Sequence, residues 1–106
     1  MAKYLVTVTY APEGAKALLK DGGTKRRAVV ESLAKSIGGK LESFYFAFGG
    51  DDAFCIVEAP DNASMAAIAL NVNSSGIASV RTTLLLSPED LDEAAKKKVT
   101  YSPPGR

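Results

Sequence analysis

The sequence predicts an α+β domain with the order strand, helix, strand, strand, helix, strand, followed by a further helix. Two observations support this order. Four segments have the alternation or apolar content of strands, and two apolar stripes of helical period lie between the first two strands and between the last two. Right-handed connections would place both main helices on one face of a four-stranded antiparallel sheet.

The strand predictions rest on side-chain alternation and on turn residues. Residues 4–10 alternate, with tyrosine and valine on one face and leucine and threonine on the other. We expect the second strand over residues 41–48 and, after a Gly-Gly-Asp-Asp hairpin turn, the third over residues 53–59. The third is nearly all apolar, which predicts that both of its faces are covered. Residues 77–86 give the fourth strand.

The helix predictions rest on apolar stripes and on capping residues. Pro12 suits the start of a short first helix, which Gly22-Gly23 interrupts. The next helix has Thr24 as its expected cap, and the helix after the third strand has Asp61. The stripes are Val30, Leu33, Ala34 and Ile37 in one helix, and Met65, Ile68, Ala69 and Val72 in the other. Ser87-Pro88-Glu89-Asp90 predicts the start of the last helix.

Composition limits the function more than any motif does. The 106 residues carry 13 basic and 12 acidic side chains, so a net charge of +1 offers no general field for nucleic acid or an anionic membrane. The single cysteine, Cys55, excludes an internal disulfide, and the absence of histidine removes the usual zinc, haem and Ser-His-Asp chemistries. We expect no metal, no cofactor, no nucleic acid and no membrane partner.

The length fits one domain. We expect that domain to occupy residues 1–98, including the last helix, and residues 99–106 to form a flexible tail. The N-terminal residues have no apolar segment of signal-peptide type, so a cytoplasmic location is the default expectation.

Two stretches resemble a known family. Residues 38–52, which end in Phe48-Gly49-Gly50-Asp51-Asp52, and the segment Ile56-Val57-Glu58-Ala59-Pro60-Asp61 are similar to the GYD-domain family, as is Val80-Arg81-Thr82 downstream. These are small proteins of the dimeric α/β-barrel superfamily. The family's Gly-Tyr-Asp motif reads Gly50-Asp51-Asp52 here, so the tyrosine is replaced by Asp51.

The resemblance implies a ferredoxin-like fold whose sheets pack between subunits as a dimeric α/β barrel. It does not imply one activity, because related barrels include monooxygenases, isomerases, haem enzymes and regulatory ligand-binding domains. We therefore expect self-association into a homodimer or a higher homo-oligomer, and we leave the activity open.

The sheet face away from the helices is the first candidate site. Its leucine, threonine and tyrosine side chains together are too apolar for full exposure, which favours an interface or a ligand cavity. The candidate ligand-binding residues are Thr7, Thr9, Tyr45, Glu58, Arg81 and Thr83. Satisfied polar groups within a subunit interface are the simpler interpretation, and both can hold together.

Other polar residues have simple structural interpretations. We interpret Asp51-Asp52 as a solvated hairpin turn rather than a metal or acid–base pair, since Asp is a preferred turn residue. Cys55, between apolar neighbours, is expected to be a buried thiol rather than a nucleophile or redox sensor. Glu58 could be a general base at a cavity mouth, but a solvated or ion-paired glutamate is the favoured interpretation.

Lys25, Arg26 and Arg27 form the second candidate site. They follow Thr24 in the predicted first turn of a helix, where cations oppose the dipole unless an anion binds the free N–H groups. A carboxylate of a ligand or of another subunit could fill such a site. A solvated basic face, or a helix that begins earlier, explains the run equally well.

Two classes of function remain open. One is a non-enzymatic homo-oligomeric module that binds a small organic or anionic ligand, or that serves regulation and assembly. The other is a cofactor-independent enzyme, similar to monooxygenases or isomerases, that acts on a small hydrophobic substrate in a barrel cavity. Tyr45, Glu58 and Arg81 would then supply proton transfer and charge stabilisation.

Overall fold

A computed structural model of the chain describes residues 1–105. The elements in chain order are β1 (Ala2–Tyr10), α1 (Pro12–Asp21), α2 (Gly23–Ser36), β2 (Lys40–Phe46), β3 (Ala53–Ala59), α3 (Asn62–Ser74), β4 (Ala78–Leu85) and α4 (Pro88–Lys96). The predicted order of strands and main helices is confirmed, and α1 is the short helix expected to start at Pro12.

The four strands form one antiparallel sheet with the order β2-β3-β1-β4. β1 and β3 lie at the centre of the sheet, because each helical connection passes one strand. The connection through α1 and α2 leads from β1 past β3 to β2, and α3 leads from β3 past β1 to β4. This is the ferredoxin-like α+β arrangement, and the predicted fold class is confirmed.

The hydrophobic core lies between one face of the sheet and the helices α2 and α3. Alternate residues of β1 and β3 are buried there, as are the apolar residues of α3 that face the sheet. The Tyr4 hydroxyl reaches the start of α3 and donates to Asn62 Oδ1 at 2.5 Å, so this buried ring keeps a hydrogen-bond partner. The most buried core residues are Tyr4, Val6, Val8, Ala34, Ala53, Cys55, Val57, Ala59, Met65 and Ala78.

A β-bulge keeps β2 in contact with this core. Leu41 lies opposite Val57 and Ser43 opposite Ile56, with an irregularity between the two pairs at Glu42. The extra residue lets Leu41 and Phe44, three positions apart, both pack against the core. Alternation resumes after the bulge, and Tyr45 consequently faces the other side of the sheet.

The loop between α2 and β2 passes very close to β3. Gly38 has a φ of +75°, the left-handed conformation that glycine adopts without strain. A Cβ added at Gly39 would lie 2.3 Å from the carbonyl oxygen of Glu58, so only glycine fits there. The predicted Gly38-Gly39 stop is therefore confirmed, and its second glycine serves packing.

Some sequence predictions are wrong in detail. Thr24 does not cap α2, because the helix begins at Gly23, two residues earlier than predicted, and its N-cap is Gly22, with no side-chain acceptor. The second strand ends at Phe46 rather than at residue 48, and Phe48 is fully exposed next to the turn. The fourth strand is one residue shorter at each end than predicted.

The expectation that both faces of β3 are covered is also wrong for the single chain. Cys55 and Val57 lie under the helices, but Phe54 on the opposite face is 37% exposed and Ile56 is only partly buried. The apolar content of β3 therefore indicates a second face that this chain does not cover by itself.

The C-terminal helix α4 projects away from the rest of the molecule. Ser87 and Asp90 form a capping box at its start, yet every residue of the helix is exposed. The Cα radius of gyration is 17.0 Å, whereas a compact domain of this length has about 13 Å. Within residues 1–105, no helix has the length and apolar character needed to cross a membrane.

Candidate functional site: the open face of the sheet

The sheet face opposite the helices, here called the open face, contains all the predicted ligand-binding positions. Side chains alternate between the two sides of a strand, so residues next to the buried Val6, Val8 and Val57 point away from the core. The strand register places the following predicted residues on this face: Thr7, Thr9, Tyr45, Glu58, Arg81 and Thr83.

One row across the open face joins three of these residues. Tyr45 pairs with Phe54, Phe54 with Thr7, and Thr7 with Arg81. Thr7 at the centre is only 8% exposed, whereas Tyr45 at the edge is 72% exposed. Phe54 was not among the predicted site residues, because its strand was expected to be covered on both faces.

The next row is apolar in its middle, and the row beyond it is charged in its middle. Ser43, Ile56, Leu5 and Thr83 form the second row. The third contains Glu58 opposite Lys3, with Lys40 on β2 and Leu85 on β4. The open face is therefore an apolar centre with polar groups around it, the usual character of an interface or of a ligand-binding surface.

Asp51 connects the hairpin turn to the edge strand β4. Its carboxylate accepts from Arg81 Nη2 at 3.0 Å and from the Thr9 hydroxyl at 3.4 Å. The neighbouring Asp52 accepts the Tyr10 N–H at 2.8 Å, and its own N–H donates to the Val8 carbonyl. The predicted turn is present, but both carboxylates are half-buried and bonded to β1 and β4 rather than solvated.

Lys3 lies at the other end of the open face, between two acidic side chains. Its ammonium donates to the Glu42 carboxylate on the bulge, and this hydrogen bond raises the pKa of Lys3, with a smaller contribution from Glu58. Glu58 is half-buried beside this cation. Glu58 therefore lies opposite a cation on the surface of the sheet, as the favoured interpretation of an ion-paired glutamate expects.

Cys55 lies on the core side of β3, as predicted. The thiol is 4% exposed, and desolvation raises its pKa to about 11. Because the thiolate is the reactive form, a thiol with this pKa is a poor nucleophile at neutral pH.

The three cations of α2 have different surroundings. Lys25 and Arg27 are exposed and lie 3.7 Å from Asp21 and Glu31, each four positions away in the chain. Arg26 is half-buried, and its guanidinium carbon lies 5.7 Å from the centre of the Tyr10 ring. These residues are on the helix side of the sheet, so they do not contribute to the open face.

The open face does not bring together the groups that an enzyme would use. Tyr45 and Arg81 are on opposite edges of the sheet, about 14 Å apart by strand spacing. Glu58 lies two rows away from both. Among residues 1–105, no cluster of three histidine, cysteine or acidic side chains is arranged to hold a metal ion. Tyr45, Glu58 and Arg81 therefore do not form one proton-transfer centre within a single chain.

The fold and the open face define a small ferredoxin-like α+β domain with one uncovered sheet face. The chain belongs to the GYD domain family, whose model matches residues 4–95. No curated protein matches it.

One similar solved structure is the crystal structure of the Mycobacterium tuberculosis leucine response regulatory protein (LrpA), at 17% identity and a TM-score of 0.51. The match covers 81% of this chain and 51% of that one, so the chain spans about half the length of the regulator. At this identity the likeness supports the fold.

Proposed function

We propose that this chain is a homo-oligomeric module that pairs with a second copy through the open face. In the assembly it would bind a small organic ligand or serve regulation, without chemistry of its own. The observation that carries this proposal is the apolar centre of the open face, which includes Phe54, Ile56 and Leu5 and has no covering element in the single chain.

Two arguments support a second copy as the covering element. Burial of apolar area is the main driving force of association, and a small chain gains most from it because its own core is limited. A two-fold pairing of sheet faces also needs no other partner, since each face supplies the complement of the other. The similar fold of a leucine response regulatory protein is consistent with a regulatory role.

The projecting helix α4 supports the same proposal. A nine-residue helix is too short to be stable alone in water, and packing normally supplies the missing stability. Leu91 is 63% exposed, and Ala94 and Ala95 follow it at helical spacing. We propose that this small apolar stripe packs against the second copy, so that the domain of residues 1–98 is complete only in the oligomer.

A ligand in the assembly would contact the polar residues around the apolar centre. Thr7, Tyr45 and Arg81 share a row, and their hydroxyl and guanidinium groups are suited to an organic molecule with polar substituents. Where two such faces meet with space between them, the result is a ligand cavity. Where they meet without space, the result is an assembly interface.

Native mass spectrometry of the purified protein tests both parts of the proposal. We expect the mass of a homo-oligomer, with a small-molecule adduct if the faces enclose a ligand. Ile56→Asp should give the monomer mass without any adduct, because it places a charge at the centre of the open face. Leu70→Asp, at a 71% exposed position on α3, is the matched control and should stay oligomeric. A wild-type monomer would contradict the proposal.

A further inference from the structure

We infer that the helix side of the sheet contains a second site, which binds a small carboxylate with an apolar tail through Arg26. The site is independent of the open face and of the proposed function. Its components are an apolar cavity beneath α2 and α3, a second cavity between α1 and α2, and the Arg26–Tyr10 pair that lines both cavities.

The first cavity is suited to an apolar group. It has a volume of about 40 Å³, while one water needs roughly 10–15 Å³ on the same scale. Arg26 is the charged residue in a lining that otherwise consists mainly of valine, leucine, isoleucine and aromatic side chains. Cys55 and Ile68 belong to this lining, together with Val8, Val30, Val72 and Val80. An apolar cavity of this kind remains dry and accepts apolar ligands.

Arg26 has an unusual environment for an arginine. Its Nε atom is buried without a hydrogen-bond partner among the described residues, although a buried donor normally has one. Stacking on Tyr10 attracts the cation but supplies no acceptor. Lys25 and Arg27 already have carboxylates nearby, so Arg26 is the cation of this run whose donors remain available.

The second cavity gives space for an acceptor next to Arg26. It has a volume of about 100 Å³ and is lined by Gly14, Leu18, Gly22, Lys25 and Val29 in addition to the stacked pair. Gly22 is the N-cap of α2 and offers no side-chain acceptor to the first N–H groups of the helix. A carboxylate between Arg26 and this helix start would accept from the guanidinium and complement the positive end of the helix.

The ligand class follows from combining the two cavities. The carboxylate would lie next to Arg26 in the cavity between α1 and α2, and its apolar tail would pass Tyr10 into the cavity above the sheet. Asp21 is the acidic residue in the lining of the second cavity, and it lies 3.7 Å from Lys25, which offsets its charge. Asp21, Lys25 and Arg26 together leave one positive charge uncompensated, which favours a ligand with one negative charge.

Isothermal titration with acetate, butyrate, hexanoate and hexanamide at matched ionic strength tests this inference. For the wild type, we expect affinity to rise with tail length from acetate to hexanoate, and hexanamide to bind more weakly than hexanoate. Arg26→Met should weaken hexanoate binding by about tenfold to hundredfold, the range for a lost charged hydrogen bond. Arg27→Met, one position along the same helix, should bind hexanoate as the wild type does.

Protection of Cys55 gives a second measurement that needs no variant. Because Cys55 lines the apolar cavity, hexanoate should slow its modification by a small thiol reagent, whereas acetate should not. Equal binding of acetate and hexanoate would overturn the inference, as would undiminished hexanoate binding by folded Arg26→Met. If Arg26→Met does not fold, the wild-type result decides: unprotected Cys55 at saturating hexanoate overturns the inference.

Discussion

Arg81 Nη2 lies 3.0 Å from Oδ1 and 3.1 Å from Oδ2 of the Asp51 carboxylate. The two residues are 30 positions apart in the chain, and their contact joins the β2–β3 hairpin to the edge strand β4. Asp51 is half-buried in the turn after β2. The turn therefore carries a charge that pairs with an arginine on the open face.

We expect Asp51→Asn to reduce the free energy of unfolding by less than about 1 kcal/mol, because exposed ion pairs contribute little. The Arg81 side chain is 74% exposed, so solvent screens the pair strongly. Urea unfolding of the wild type, Asp51→Asn, Arg81→Gln and the double variant would give the coupling energy. A coupling of several kcal/mol would show that the pair is far less exposed in solution than this structure indicates.

Val57→Asp should prevent stable folding. Val57 is 3% exposed on the core side of β3, and an unpaired charge there costs several kcal/mol. Ile56→Asp, the adjacent position on the open face, is the matched control and should retain the fold of the single chain. Circular dichroism during heating distinguishes the two variants. Equal melting temperatures would contradict the assignment of the two faces of β3.

Cys55 should react slowly with Ellman-type reagents in the native protein and rapidly after denaturation. It is buried, and desolvation raises its pKa to about 11, so little thiolate is present at pH 7. The absorbance change on labelling, with and without guanidinium chloride, measures both rates. Fast stoichiometric labelling of the native protein would contradict the buried position.

Asp61→Ala should lower the melting temperature by a few degrees at pH 7, and Asp61→Asn should lower it by a smaller amount. The Asp61 carboxylate accepts the Ser64 N–H at 2.8 Å as the N-cap of α3, and asparagine can accept the same bond. That bond lowers the pKa of Asp61 below its ordinary value of 3.8. The charge contribution is therefore present above pH 3.8 and is lost as the pH falls through the lower folded value.

Melting curves between pH 2 and pH 7 separate these effects. The difference in melting temperature between the wild type and Asp61→Asn should shrink toward zero or reverse as Asp61 protonates. A difference that does not depend on pH would show that the charge of Asp61 does not contribute to the cap.

Most of the fold could be predicted because each element has a local signal. Val6 and Val8 alternate with Thr7, Met65 and Ile68 have helical spacing, and Asp61 caps α3 as predicted. Thr24 misled the prediction because its side chain suits a cap, whereas the chain already turns at Gly22, with a φ of +82°. Gly22-Gly23 was predicted to interrupt the helices, and it is this break that sets the start of α2.

The candidate site could be predicted less completely. Alternation alone places Thr7, Tyr45 and Arg81 on one face, because a strand has only two sides. Their arrangement in one row depends on the register between strands, and the Asp51–Arg81 contact depends on a turn that folds back over β1. The exposure of Phe54 could not be predicted from the sequence. An apolar strand indicates that both of its faces are buried, but it does not show whether the second face packs against the same chain or against another.

The molecular mass in solution tests the central claim most directly. The chain has a mass of 11.1 kDa, and light scattering coupled to size-exclusion chromatography at micromolar concentration should give at least twice that value. Ile56→Asp should return the mass to that of the single chain. A wild-type protein that elutes as a stable 11.1 kDa monomer would contradict the account, because the apolar open face would then be exposed to water without a partner.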